Sequence, residues 1–265
     1  MSRHIGTLSG GVTSFYACHL MKQEQSDAEL LHTSTSFEDE STERFLLECV
    51  LHLGLNYTKL THPDGDVWGV FDRVKLLGNN RAPVCSRVLK IEQTQSYVQE
   101  GDTLYWGLEY SPKDIPRAEP IERNWLERGV KSRFPLIENK LSKQAAFDFC
   151  ASVGIALPEL YAKGFEHSNC GGRCVRAGLG HWAHLYRTYP ERYQDSEERE
   201  ASWQQRHGKS NTILKKSGKP ISLKEFREQY LEGVLYGTYD LRDERGDGSC
   251  ACMSAYAVDL AEVAS

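Results

Sequence analysis

The stretch that most constrains this chain is Ser9-Gly10-Gly11-Val12-Thr13-Ser14, which follows a short strand-like run over residues 5–8 and opens a helical pattern over residues 12–22. The two glycines let the backbone approach a ligand and take positive φ. The N–H groups of the helix's first turn face the same point, and the helix dipole favours an anion there. Ser9, Thr13 and Ser14 add hydroxyl donors. A phosphate or pyrophosphate suits that arrangement; an ordinary Gly-Gly turn between strand and helix is the plainer alternative. No Gly-Lys-Ser/Thr follows, so the loop is not a Walker A motif.

Strand and helix signals alternate after the loop. Strands are expected at 30–37, 56–60, 103–108 and 132–136, and helices at 41–53 and 67–77. Phe45, Leu46, Cys49, Val50 and Leu53 share one face of the 41–53 helix. A loop over 78–84 delivers Cys85 to the start of another helix, because Pro83 disfavours helix just before it. Beyond residue 141 the pattern is helical: 142–154, then 174–207 as one long helix broken near Pro190. A small hairpin follows at 211–220. Ser222 and Glu225 form a capping box for a last helix. The fold class is therefore α/β, a doubly wound, mainly parallel five-stranded sheet with a C-terminal helical extension. Residues 1–140 form the nucleotide-binding α/β domain and residues 141–265 a helical, cysteine-bearing region packed on it. Ligands of such sheets bind beyond the carboxyl ends of the strands.

A chain of 265 residues, 40% hydrophobic, can bury one sizeable core. Its formal net charge of −5 argues against a nucleic-acid partner on global charge, while leaving room for a local basic face. No apolar run approaches the roughly 20 residues that span a bilayer, and the start lacks a signal-peptide apolar region. The expected setting is the cytoplasm, where clustered cysteines serve metals or catalysis more often than disulfides.

The eight cysteines fall into two groups. Cys18, Cys49 and Cys150 sit in helical apolar patterns and read as small buried hydrophobes. Cys85, Cys170, Cys174, Cys250 and Cys252 lie beside Gly, Pro, Ser or another Cys, at loops or helix ends. In Cys170-Gly171-Gly172-Arg173-Cys174 two thiolates can converge across a Gly-Gly turn. Cys85 is the natural third ligand of a shared centre, and Cys250 or Cys252 the fourth. Four thiolates suit a [4Fe-4S] cluster or zinc; redox-active thiols without metal are the third option.

Ser-Gly-Gly-x-x-Ser after the first strand resembles the PP-loop superfamily of adenine nucleotide α-hydrolases (HUP-like), which includes ATP pyrophosphatases, tRNA thiolation enzymes and phosphoadenosine phosphosulfate reductases. The resemblance extends toward the reductase-like branch through Leu77-Gly78-Asn79, through Cys85-Ser86-Arg87-Val88-Leu89-Lys90, and through the segment 164–178 that carries Cys170 and Cys174. It implies that the loop binds the phosphates of ATP or a related adenylyl nucleotide. It also tips the cysteine centre toward iron–sulfur. Two departures concern metal handling: Thr13 stands where many such loops carry Asp, and the second strand ends in Ser36 and Phe37 before Glu38.

Further candidates follow from position. Arg87 and Lys90, three apart on the helix after Cys85, could hold phosphate or sulfate. Arg173 and Arg176 flank Cys174 and could favour its thiolate or bind an anionic substrate. Asn79 and Arg81 precede Cys85 and are placed toward the pocket; His167 and Asn169 precede Cys170 as ligands or supporting donors. Glu109 ends the fourth strand and could bind a ribose or a metal. His181, Trp182, His184 and Tyr186 have core-like spacing.

Three functions remain in view. The first is ATP-dependent activation, with Mg2+ as companion ion, followed by sulfur transfer to a nucleobase, in RNA or free. The second is sulfonucleotide reduction with a thioredoxin-like reductant. The third is a non-catalytic nucleotide- and cluster-binding redox sensor.

Overall fold

The computed structural model describes residues 2–233. Cys250 and Cys252 lie outside the described residues. The elements run β1 (His4–Thr7), α1 (Val12–Glu24), β2 (Glu29–Thr33), α2 (Glu40–Leu53), β3 (Asn56–Leu60), α3 (Val67–Val74), then α4 (Val84–Ser86), which passes through a π-helical segment (Arg87–Glu92) into α5 (Gln93–Tyr97). Next come β4 (Thr103–Tyr105), α6 (Ile115–Leu126), β5 (Lys131–Arg133), α7 (Pro135–Glu138), α8 (Lys143–Ser152) and α9 (Glu159–Ala162). The last part is α10 (Leu179–Thr188), α11 (Pro190–His207), β6 (Leu214–Lys216), β7 (Lys219–Ile221) and α12 (Leu223–Phe226).

Five strands form one sheet in the order β3-β2-β1-β4-β5, every pair parallel. Successive residues of a strand face opposite sides, and the packing follows that rule. Leu30 and Tyr105 join Val12, Phe15, Phe45, Cys49 and Cys150 on the face covered by α1, α2 and α8. Leu31 and Leu104 join Ile121 and Trp125 of α6 on the other. The sheet is therefore doubly wound. A third cluster joins Val70, Phe71 and Leu89 to Leu160, Trp182, Trp203 and the β6–β7 hairpin, so it draws on both sides of residue 140.

Caps explain several boundaries. Asp39 accepts from Thr42 N at 2.9 Å to start α2, and Gly54, at φ 60°, ends it. The Ser222–Glu225 capping box forms as expected. Cys18, Cys49 and Cys150 are fully buried, and burial pushes all three thiols up.

Some elements differ from the sequence expectation. The span 174–207 is two helices: Pro190, without an amide hydrogen, sits at the first position of α11 and breaks the run at Tyr189. Residues before Leu179 form turns around the cysteines instead of helix. The strands expected at 103–108 and 132–136 stop at Tyr105 and Arg133. Pro135 instead opens α7. Among the described residues no helix is long and apolar enough to cross a membrane.

Candidate functional site

The strand order reverses direction between β1 and β4, and ligands of such sheets lie at that switch point. The loop 9–14 follows β1 there. Gly10 takes φ 83°, open to glycine without strain. A Cβ on Gly11 would face nothing nearer than the Tyr161 hydroxyl at 3.6 Å, so its bare backbone fronts open space. No side chain caps α1 at Gly11, which leaves the first-turn N–H groups to an external acceptor.

Ser14 is buried and shapes the loop. Its hydroxyl donates to Gly11 O at 2.8 Å and accepts from Ser9 N and Ser9 Oγ at 3.1 Å. Thr13 and Ser9 also line the cavity. From β4, Gly107 closes on the loop so tightly that a Cβ there would lie 2.5 Å from Ser14 Cα.

The loop opens into a cavity of about 120 Å³. Leu8, Leu31, Trp106 and Leu108 give it an apolar floor, while Lys90, Arg117 and Lys143 bring positive charge and Glu109 and Asp114 negative charge. Asp114 pairs with Arg117. The Lys143 ammonium donates to Glu166 O and lies 5.5 Å from the Tyr161 ring centre. Burial pulls Lys143 below the usual lysine range, against the opposing pull of Glu109, and burial likewise raises Glu109. His167 lines the same cavity, and burial, with Lys143 and Arg117 nearby, lowers its pKa to about 3. It is neutral at physiological pH.

A second, smaller cavity of about 10 Å³ is lined by Cys85, Cys170 and Cys174 together with Thr35, Ser86, Arg173 and Arg176. Three of the thiols singled out in the sequence thus line one cavity. Cys170 itself takes φ 52°, and Gly171 and Gly172 follow at 57° and 82°. A non-glycine residue in that region stores strain, and here the surroundings hold it. His181 Nε2 donates to Gly172 O at 2.6 Å, and Arg192 donates to Gly171 O at 2.9 Å while pairing with Asp39. Arg173 lies 3.6 Å over the Phe37 ring and pairs with Asp195.

The two cavities share Lys90. It sits in the π-helical segment, buried at 6% exposure; such segments recur at functional sites because the extra residue re-aims a side chain. Ser168 fastens the two loops as well, its hydroxyl donating to Gly10 O at 2.9 Å and its carbonyl accepting from Thr42 Oγ1 at 3.2 Å.

Other expected residues are placed elsewhere. Arg87 pairs with Glu92 at 3.0 Å and lines neither cavity. Asn79 is used by its own loop, its side-chain oxygen accepting from Arg81 N and Ala82 N at 2.9 and 3.1 Å; neither Asn79 nor Arg81 lines either of these two cavities. The Glu38 carboxylate is buried, which by itself would raise its pKa. It nonetheless falls to about 2, because Thr35 N and Thr35 Oγ1 donate to it and His32 and Lys90 lie near it; Ser34 Oγ and Phe37 N donate to it as well. Among the described residues no three His, Cys, Asp or Glu side chains are grouped to hold a metal ion.

Arg117, Lys143, Tyr161, Ser168 and Gly107 were not singled out in the sequence. Gly107, two residues beyond β4, carried the one available signal, since a glycine at the carboxyl end of a parallel strand marks a close approach. The others lie on helices or loops whose approach to the switch point is a tertiary matter.

The fold is a doubly wound α/β sheet of five parallel strands. It is similar to the crystal structure of phosphoadenylyl-sulfate reductase from Candida auris in its phosphate complex, with 15% identity and a TM-score of 0.45 over 63% of this chain and 80% of that one. No family model and no curated protein matches the chain. What the site can do is therefore derived from its own residues.

Proposed function

We propose that the chain is a thiol-dependent enzyme acting on a sulfonucleotide held in the larger cavity. The observation that carries this is the shared wall at Lys90: a nucleotide seated on the loop 9–14 ends, at its charged tip, beside the lysine that also faces Cys85, Cys170 and Cys174. A sulfate attached to a nucleotide's phosphate would lie between the two, its charge balanced by Lys90, Arg173 and Arg176.

The chemistry balances with thiols alone. A thiolate sulfur attacks the sulfur of the sulfate; an S–S bond forms and the S–O bond to the phosphate breaks. The electron pair leaves on the phosphate oxygen, giving a nucleoside phosphate and an enzyme thiosulfonate. A second thiolate, from the same cavity or from a thioredoxin-like dithiol, then attacks the enzyme sulfur. A disulfide forms and sulfite leaves, so the two thiols are oxidised by two electrons and the sulfur is reduced by two. Lys90 is placed to stabilise the oxygen that gains charge in the first step.

ATP-dependent adenylyl transfer is the second reading, and Glu109 and Asp114 on the cavity wall favour it as carboxylates able to meet Mg2+. Against it, the acid nearest the end of β2, Glu38, is bound by its own loop, and Thr13 stands in the phosphate loop itself. The test is to incubate the reduced protein with a sulfonucleotide in the absence of any other thiol and to map cysteine adducts by mass spectrometry. A thiosulfonate on Cys85, Cys170 or Cys174 is expected. An unmodified protein that nevertheless releases pyrophosphate from ATP would transfer the assignment to the second reading.

A further inference from the structure

Glu38 lines neither cavity, yet its carboxylate is fixed at both oxygens. Thr35 N and Thr35 Oγ1 donate to Oε1 at 2.9 and 2.7 Å, and Ser34 Oγ and Phe37 N donate to Oε2 at 2.9 and 3.3 Å. Ser36 takes φ 51°, and its N–H donates to Ser34 Oγ at 3.0 Å, so the turn after β2 folds back over its own acid. The same turn reaches the cysteines. Thr35 lines the smaller cavity together with Lys90, and its hydroxyl oxygen lies 4.0 Å from Cys170 Sγ. A carboxylate held in this way is a fixed negative charge behind that cavity's wall.

Lys90 is the cation this charge meets. Lys90 is 6% exposed, and a buried ammonium is costly without an opposite charge. Burial alone would raise the Glu38 carboxyl; the bonds from Thr35 lower it, and His32 and Lys90 add to the fall. Of these two, His32 is neutral at physiological pH: its Nδ1 donates to Leu8 O at 2.8 Å, and burial lowers its pKa. Cations on neighbouring segments have acids of their own. Lys59 pairs with Glu43, Arg192 with Asp39 and Arg173 with Asp195. The acids of the larger cavity likewise face other cations, since Asp114 pairs with Arg117 and Lys143 faces Glu109.

We propose that Glu38 is a positioning residue for Lys90: from its fixed place in the turn it balances the ammonium and keeps it at the wall the two cavities share, where the sulfate of the bound nucleotide would lie. The inference rests on the sulfonucleotide reading and adds to it a residue that touches no substrate. Because both its oxygens are engaged, the carboxylate stays behind the wall. It steadies the lysine without entering the cavity, where it would repel the sulfate. Glutamine in its place keeps one acceptor for Thr35, sets an amide nitrogen against Ser34 Oγ and Phe37 N, and leaves Lys90 without the charge.

A double-mutant cycle of Glu38→Gln and Lys90→Gln in the full chain tests it by calorimetric titration. The probes are adenosine monophosphate and adenosine phosphosulfate with its bridging oxygen replaced by a methylene group, which the thiols cannot cleave. The wild type is expected to bind the phosphosulfate analogue more tightly than the monophosphate. Each single variant should lose about 10-fold or more toward the analogue, the scale of a hydrogen bond to a charged group, and about 2-fold or less toward the monophosphate. The double variant should match Lys90→Gln within about 2-fold, because a balancing charge has no effect once its cation is gone. Glu38→Asp keeps the charge and should bind the analogue more tightly than Glu38→Gln. Wild-type affinity in Glu38→Gln, losses that multiply in the double variant, equal losses for both nucleotides, or no recovery in Glu38→Asp would each overturn the inference and leave the sulfonucleotide reading standing. A wild type that does not prefer the analogue would overturn both.

Discussion

Substituting the two glycines that meet at the phosphate loop separates the architecture of the site from its use. In Gly107→Ala the new Cβ would lie 2.5 Å from Ser14 Cα, 2.6 Å from Ser14 N and 2.9 Å from Ser14 Cβ. Two of those three atoms are backbone, so no rotamer change relieves the contact, and β4 or the start of α1 must shift. Overpacking of this kind costs about 1–3 kcal/mol, and the rigidity of the opposing backbone places it near the upper end. For a chain of this size that is roughly 6–12 °C in melting temperature. In Gly11→Ala, by contrast, the nearest atom is the Tyr161 hydroxyl at 3.6 Å, an ordinary contact, and φ is −95°. The cost to folding should stay within about 1 kcal/mol. On the proposed reading the added methyl would nevertheless stand where a phosphate approaches the bare backbone. Urea denaturation of both variants and calorimetric titration with adenine nucleotides provide the assay. Gly107→Ala should lose stability together with binding, and Gly11→Ala should lose binding alone. A Gly107→Ala protein within about 0.5 kcal/mol of wild type, or a Gly11→Ala protein with unchanged affinity, would refute the reasoning.

Ser168→Ala removes the donor to Gly10 O in a fully buried position, an expected loss of about 1–3 kcal/mol in urea denaturation. It should also weaken nucleotide binding and slow cysteine modification together, because that hydroxyl joins the two loops. His167 has its pKa lowered from 6.5 to about 3 by burial, with Lys143, Arg117, His181 and Lys113 adding to the shift. The unfolded chain therefore takes up a proton that the folded chain refuses. The stability His167 confers is complete above about pH 6.5 and is lost as pH falls toward about 3. Between pH 6.5 and about 5 the loss is at most about 2 kcal/mol, less where cavity water reaches the ring, and His167→Asn should flatten that limb of the urea-midpoint profile. An equally steep limb in the variant would assign the pH dependence to other groups.

The sheet was legible because short strand patterns alternate with helical ones along the chain; β3 was placed to the residue. The turn at residues 9–14 was legible because a Gly-Gly pair stands between a strand pattern and a helix pattern, and its residues line the larger cavity. The loop before Cys85 suggested one centre for Cys85, Cys170 and Cys174; all three line one cavity, while among the described residues no metal-holding group is formed. What escaped was long-range or local in a way composition hides. Arg87 looked equivalent to Lys90 at helical spacing, but the π-helical segment turns Lys90 inward and leaves Arg87 with Glu92. Asn79 read as a pocket residue until its side chain proved to close its own turn. His181 and Arg192 had no signal as supports of the cysteine turn, since each acts on a carbonyl across a tertiary contact.

The most direct measurement is product release under turnover, with sulfite and pyrophosphate assayed in parallel. The reduced protein would be given a sulfonucleotide plus a dithiol in one reaction, and ATP plus Mg2+ in the other. One sulfite per nucleoside phosphate released is expected from the first mixture. That release should be lost by at least about 10³-fold on replacing the attacking cysteine with serine, and no pyrophosphate is expected from the second. Pyrophosphate from ATP without sulfite from the sulfonucleotide, or sulfite release that survives in a protein lacking Cys85, Cys170 and Cys174 together, would contradict the account.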